Sequence, residues 1–241
     1  MFHVKHCLCY YPLPQFRVMN PISPRFISES NVSRETFELA GTIFEDNRDQ
    51  FQLLMDRWLW WNRSVNLFSK NTDTNSLEHH IFHSLLLVVP SERTNRSPVI
   101  DAGTGGGLPG LPMAIAMPET GFVLVDKVQK KCLAVRDIIR TLGLNNIVVL
   151  HSDLARISIG QSFRVVSKHA FPVKDLLSAL KNKEWNEVAM LKGKDVLCEL
   201  DKEMLAQYRF SFRHFDPAMG SFYKDRGVLL IHKNFDNTLM P

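Results

Sequence analysis

One run near the middle of the chain constrains the fold more than any other: Val99-Ile100-Asp101-Ala102-Gly103-Thr104-Gly105-Gly106-Gly107-Leu108-Pro109-Gly110. It reads as a short buried strand, an acid, a glycine-rich turn and the start of a helix. Glycines at this density let the backbone turn at positive φ and approach a ligand with no side chain in the way. An acid at the end of a buried strand is costly unless it binds something. A loop of this kind belongs at the carboxyl end of a parallel sheet, where a nucleotide-like cofactor rests. The plain alternative is a βα turn whose acid only caps the helix, but capping needs one Asp and no glycine cluster.

The flanking pattern fits that placement. From residue 98 the chain alternates strands and helices, which implies an α/β fold with a mostly parallel sheet covered on both faces. Seven strands are expected, at 99–101, 121–126, 146–151, 163–167, 187–191, 208–215 and 227–232. Helices are expected to start near Gly107, Val128, Lys174 and Val196, with a short one near Leu154. No helix separates the last two strands, so they should pair as an antiparallel hairpin at the sheet edge. Before residue 98, apolar residues recur at helical spacing over 33–47, 48–61 and 76–89. Three domains of organisation follow: a poorly ordered arm over 1–33, a helical extension over 34–97, and an α/β core over 98–241. In the tryptophan cluster, spacing sends Trp58 and Trp61 inward and Trp60 toward solvent.

The arm is rich in Pro, Ser and aromatics without period, and Met19 is an alternative start. Its segment Phe2-His3-Val4-Lys5-His6 can be encoded TTT CAC GTG AAA CAT. The centre of that string is an inverted repeat resembling the DNA site read by bacterial chromosome-partition proteins. The expectation is a DNA element overlapping the reading frame, with coincidence as the alternative, and any other set of codons refutes it.

Composition bounds the class. At 241 residues, with 45% hydrophobic and 22% charged residues, the chain has the make-up of a globular protein. No apolar run is long enough to span a bilayer, and the start lacks the apolar core of a signal peptide. The net charge of +4 is compatible with a polyanion partner. Cys7, Cys9, Cys132 and Cys198 form no CxxC pair and no zinc spacing, so free thiols in a reducing cytoplasm and no metal are expected.

Two acids decide between ligands. Gly105 to Gly110 satisfies G-x-G-x-x-G, the dinucleotide fingerprint, which alone is weak. A carboxylate at Asp101 repels a pyrophosphate but attracts the cationic methionine part of S-adenosyl-L-methionine. Asp126 ends the next strand, where an acid accepts both ribose hydroxyls of an adenosine. Either ligand would use Asp126, so Asp101 discriminates.

The run from Asp101 to Pro112 closely resembles the cofactor loop of the bacterial 16S (small-subunit) rRNA guanine-N7 methyltransferase G family, also called glucose-inhibited division protein B. The likeness extends from about residue 48 to about 233. Trp61-Asn62-x-x-x-Asn66-Leu67-Phe68-Ser69 is similar to the family's W-N-x-x-x-N-L-T/S segment, and His80-Ile81-Phe82-His83-Ser84-Leu85 to its H-I-x-D-S-L segment. Val125-Asp126-x-x-x-Lys130-Lys131 resembles its acid followed by a basic pair. Leu191-Lys192-Gly193, with Glu199 following, resembles its L-K-G-x(5)-E segment. Two departures stand out: His83 replaces the family's Asp, and in Ser167-Lys168-His169-Ala170-Phe171 His169 replaces the arginine of Ser-Arg-Ala. If His83 and His169 are close in space, a charge pair has become a pair of imidazoles; the alternative is two independent, neutral changes.

The resemblance implies a Rossmann-like fold, a cytoplasmic enzyme and methyl transfer from S-adenosyl-L-methionine to N7 of a guanosine in small-subunit rRNA, naked or in the 30S subunit. A monomer is expected. Gly103, Thr104, Gly105, Gly107 and Leu108 would hold the cofactor by backbone contacts. Asp101 would face its amino group and Asp126 its ribose. Asp153, Leu154 and Ala155 would flank adenine. His169, Phe171 and Lys192 would stand at the methyl donor and target base, with Phe171 stacking on guanine or packing in the core. Arg63, Lys70, Lys168 and Lys192 are the candidates for RNA backbone contacts. His80 is expected to be a satisfied histidine beside the cofactor pocket. Other readings remain open: a methyltransferase with another substrate, a nicotinamide-dependent oxidoreductase, and a non-catalytic RNA-binding module.

Overall fold

The computed structural model describes residues 27–88 and 97–234. Eight strands form one mixed sheet in the order β1-β7-β8-β6-β5-β2-β3-β4. At its centre β2 (Val99–Ala102) is buried along its whole length. It pairs in parallel with β3 (Phe122–Asp126) and β5 (Phe163–Lys168). Parallel pairing continues outward to β4 (Ile147–His151) and β6 (Trp185–Gly193). The glycine loop therefore leaves the carboxyl end of a central strand, the expected place.

Alternation along the strands divides the core in two. Val99, Val166 and Leu191 join one buried cluster, while Ile100, Val165 and Met190 join the other. Successive strand residues point to opposite faces, so the clusters lie on the two sides of the sheet. The first cluster holds helices α1 (Arg34–Asp46), α2 (Arg48–Asn62), α3 (Thr74–Leu85), α4 (Gly110–Ala116) and α5 (Gln129–Leu142) against it. The second is covered by α6 (Val173–Ala179) and by α7 (Lys202–Gln207), which contributes Met204. Helix boundaries follow local chemistry. Ser33 accepts from the Thr36 amide and Asp73 from the Ser76 amide, satisfying amides at the starts of α1 and α3. Gly143, at φ +66°, closes α5 in the left-handed conformation.

The three helical patterns of the N-terminal half appear within a few residues of their expected limits, except that residue 89, the expected end of the third, lies outside the described residues. Trp58 is fully buried and Trp60 half exposed. The final strands β7 (Tyr208–His214) and β8 (Arg226–Lys233) pair antiparallel as expected.

Four expectations are corrected. The sheet has eight strands, because β1 (Ile27–Asn31) pairs in parallel with β7. Its sequence, Ile-Ser-Glu-Ser-Asn, carries too little apolar alternation to read as a strand, and only the free edge of β7 calls it in. The expected arm of 1–33 is therefore structured from residue 27. The hairpin lies inside the sheet, since β8 inserts between β6 and β7 and β1 covers β7. The helix expected at Val196 is a 3-10 stretch, Lys194–Glu199, and α7 restarts where Asp201 accepts from the Met204 amide. Cys7, Cys9, Met19 and the codon reading of residues 2–6 lie outside the described residues, while Cys132 and Cys198 are free thiols. Among the described residues no helix is long and apolar enough to cross a membrane.

Candidate functional site

The glycine loop is held from below. Gly103 and Thr104 donate to the Val125 carbonyl of β3 at 2.9 and 3.0 Å. One oxygen of the fully buried Asp101, Oδ2, accepts from the Thr104 hydroxyl at 2.6 Å and from the Gly110 amide at 2.9 Å. The other, Oδ1, is buried without a hydrogen-bond partner. Burial pushes this carboxyl up to about 7, against the two hydrogen bonds. Asp101 thus lies beneath the loop and outside the cavity wall. The capping alternative describes one of its oxygens and leaves the other unexplained.

Glycine is obligatory at two points. At Gly103, φ +69°, an added Cβ would lie 2.6 Å from Ala170 Cβ and 2.9 Å from the Phe171 ring. At Gly107, φ +98°, it would lie 2.2 Å from Leu111 Cδ1. The Gly106 carbonyl accepts from the Trp58 indole at 2.6 Å, so α2 clamps the loop from the far side. Apolar spacing marks Trp58 as core but says nothing of where its N–H points.

Above the loop opens a cavity of about 480 Å³. Gly103, Thr104, Gly105 and Leu108 line it, with Asp126 and Leu154 on the side of β3 and β4, and Lys168, His169 and Phe171 on the side of β5. Asp126 Oδ2 accepts from the Gly105 amide and Oδ1 from the Val128 amide, both at 2.8 Å. Those bonds fix the carboxylate at the rim. An added Cβ on Gly105 would meet nothing within 4 Å, so the loop offers bare backbone to the cavity.

Other expected residues stand back from this wall. Gly107 serves the loop's turn. Asp153 caps the 3-10 stretch Leu154–Arg156 by accepting from the Ala155 amide, and pairs with Lys127 at 3.0 Å. Ala155 is exposed outside the lining. Lys192 is buried, and its ammonium meets Glu199 Oε1 at 3.0 Å while Glu199 Oε2 accepts from the Val173 amide. Lys192 is not among the residues lining the cavity. Arg63 and Lys70 are exposed near the turn after α2.

The β5 side gathers basic groups. Lys168 Nζ lies 2.8 Å from His80 Nδ1. Burial, chiefly, draws Lys168 down to about 7 and His80 to about 3. The His83 and His169 rings lie 6.5 Å apart, so the two departures from the family pattern are neighbours. His83 is fully buried, with both ring nitrogens unpartnered, and packs edge-on against Phe215 and Phe222. Its pKa falls well below the usual range, mainly through burial. Lys168 thus lines the cavity with its ammonium against His80. Sequence reasoning missed Leu67, Phe68, Lys127 and Ser152 in the wall. Phe68 stands in the N-L-T/S segment that carries the family likeness, the one signal available for it.

A family model described as rRNA small subunit methyltransferase G matches residues 47–215. Curated relatives of that name include a Chlorobium luteolum protein, 40% identical over 143 residues, which are 58% of this chain and 60% of that one. A Bacteroides thetaiotaomicron protein is 36% identical over 58% of this chain and 67% of its own. One from Phocaeicola vulgatus is 33% identical over 68% of this chain and 79% of its own. The chain thus spans about 60% of the first of these relatives. A mutant of MtNAS, solved in complex with S-adenosylmethionine, shares the fold at TM-score 0.51 and 14% identity, covering 83% of this chain and 80% of that one. The acid-flanked glycine loop and the match across most of the α/β core lead to one family: this chain belongs to the rRNA small subunit methyltransferases G.

Proposed function

We propose that the chain transfers a methyl group from S-adenosyl-L-methionine to N7 of a guanosine in 16S rRNA, acting in the cytoplasm as a monomer. The observation that carries this reading is the pairing of bare loop backbone at Gly105 with two acids: Asp126 at the cavity rim and Asp101 below, its Oδ1 unpartnered. A pyrophosphate would meet the Asp101 carboxylate unfavourably, which argues against a nicotinamide dinucleotide, whereas Asp126 would suit the ribose of either ligand. The cavity of about 480 Å³ falls in the range of small-ligand sites.

In this reading the backbone of Gly103, Thr104, Gly105 and Leu108 holds the methionine and sugar, with Gly107 shaping the turn. The Asp101 carboxylate supplies the field for an α-ammonium. Asp126 accepts from the ribose hydroxyls with lone pairs its backbone bonds leave free. Ser152 and Leu154 flank adenine, and Asp153 fixes their turn through Ala155. His169 and Phe171 border the space for the target base, while Arg63 and Lys70 meet RNA phosphates. When bound, the cofactor supplies an electrophilic sulfonium methyl. Guanine N7 has a free lone pair and no proton to lose, so no residue need act as general base. The protein's task is to align N7 with the methyl at near-contact distance and to exclude water.

A strain lacking the gene should lose one N7-methylguanosine from its small-subunit rRNA. An unchanged modification map would refute the proposal. Calorimetry with each cofactor separates it from the dinucleotide reading.

A further inference from the structure

We propose that Lys168 selects guanine as the target: its ammonium, oriented by His80, donates to O6 of the base and leaves N7 bare for methylation. The inference rests on the methyltransferase reading above and names the group that recognises its substrate.

Lys168 ends β5, the strand beside β2. The Ser167 hydroxyl, donating to the Ala102 carbonyl at 2.9 Å, pins that strand end next to the glycine loop. After Lys168 the backbone turns sharply, with His169 at φ +53°. This turn seats Phe171 against Gly103, so Lys168 and an aromatic ring face the same cavity. Lys127 and Lys131 also line it, but they follow β3, on the Asp126 side, with β2 between them and Lys168.

His80 is a fixed acceptor. Its ring lies parallel to Phe68 at 6.1 Å and edge-on to Phe222 at 5.3 Å. Its desolvated environment keeps it neutral at neutral pH, so Nδ1 can offer a lone pair to the Lys168 ammonium 2.8 Å away. An ammonium has three N–H donors and no acceptor. With one directed at His80, two remain for the cavity.

Chemistry then chooses the base and the atom. On the relevant edge guanine presents two acceptors, N7 and O6, whereas adenine presents N7 and an N6 amino donor. The ammonium matches O6 and opposes N6. A donor on N7 would occupy the lone pair that must attack, so a productive contact goes to O6. The other basic groups facing this corner are His83, His169 and Arg226, and Asp101 is the acid that favours the charged lysine. The arrangement replaces the family's arginine by a lysine one residue earlier, anchored on the histidine of the H-I-x-D-S-L segment.

The test measures single-turnover methyl transfer to rRNA carrying guanine or 2-aminopurine, which lacks O6, at the methylated position. The native chain should act about 10- to 100-fold more slowly on 2-aminopurine, the range expected for one charged hydrogen bond. Lys168→Met should lose a similar factor on guanine, match the native chain on 2-aminopurine, and bind cofactor unchanged. Equal native rates on the two RNAs overturn the assignment without recourse to any variant. So does a Lys168→Met protein that keeps the native preference. If the native chain methylates no guanine, the methyltransferase reading itself falls; if it methylates guanine without that preference, only the role of Lys168 falls.

Discussion

Asp101 shows how much one side chain carries here. Its Oδ2 builds the loop, and its buried Oδ1 has no partner. Because burial raises the carboxyl to about 7, it is partly protonated at neutral pH in the free protein. An arriving α-ammonium favours the ionised form. Calorimetry at pH 7 in buffers of different ionisation enthalpy should therefore detect a fractional proton release on S-adenosyl-L-methionine binding. Asp101→Asn should reduce the release; a release unchanged in that variant would contradict this role. The same shift has a sign for stability. The native value lies above the unfolded one, so Asp101 destabilises the fold progressively as pH rises from about 4 to 7. The glycines separate strain from clash. Gly105→Ala meets open space at φ +57° and should cost about 1–2 kcal/mol of left-handed strain. Gly107→Ala adds the collision with Leu111 and should cost more, by denaturant midpoint. Equal losses would contradict the geometry.

Among the elements, α2 has a role beyond packing. Its Trp58 indole holds the Gly106 carbonyl, and Arg57 and Trp61 bind Asp137 of α5. The helical extension is thus wired into both the loop and the core. Trp58→Phe keeps a large ring but leaves a buried carbonyl unpaired. It should destabilise the protein by about 1–3 kcal/mol and weaken cofactor binding more than a surface change does. A variant with unaltered melting and affinity would show that α2 only packs. The parts legible in the sequence are those written in contiguous residues: the strand-acid-glycine run, the 3.6-residue spacing of α1 to α3, and the strand-helix alternation from residue 98. What stayed illegible depends on partners distant in the chain. The β1 sequence is polar, and its strand exists through β7. Lys192 reads as a free cation until Glu199 meets it, and Lys168 as a surface cation until His80 does. Residues 80 and 168 are joined only by the sheet that brings α3 over the end of β5.

For the whole molecule, the fold divides the proposed reaction between two halves of one cavity. The carboxyl ends of β2, β3 and β4 supply bare backbone and acids for a cationic nucleoside. The end of β5, with α3 and Phe68, supplies the lysine, imidazoles and rings that meet a purine. Together these halves are proposed to move a methyl group to N7. That transfer is tested most directly by incubating labelled S-adenosyl-L-methionine with intact small subunits, and separately with naked rRNA, from a strain lacking the gene, then mapping the label. One labelled N7-methylguanosine is expected with the native chain and none with Asp126→Ala. No label in either RNA, or label on any atom other than guanine N7, would contradict it.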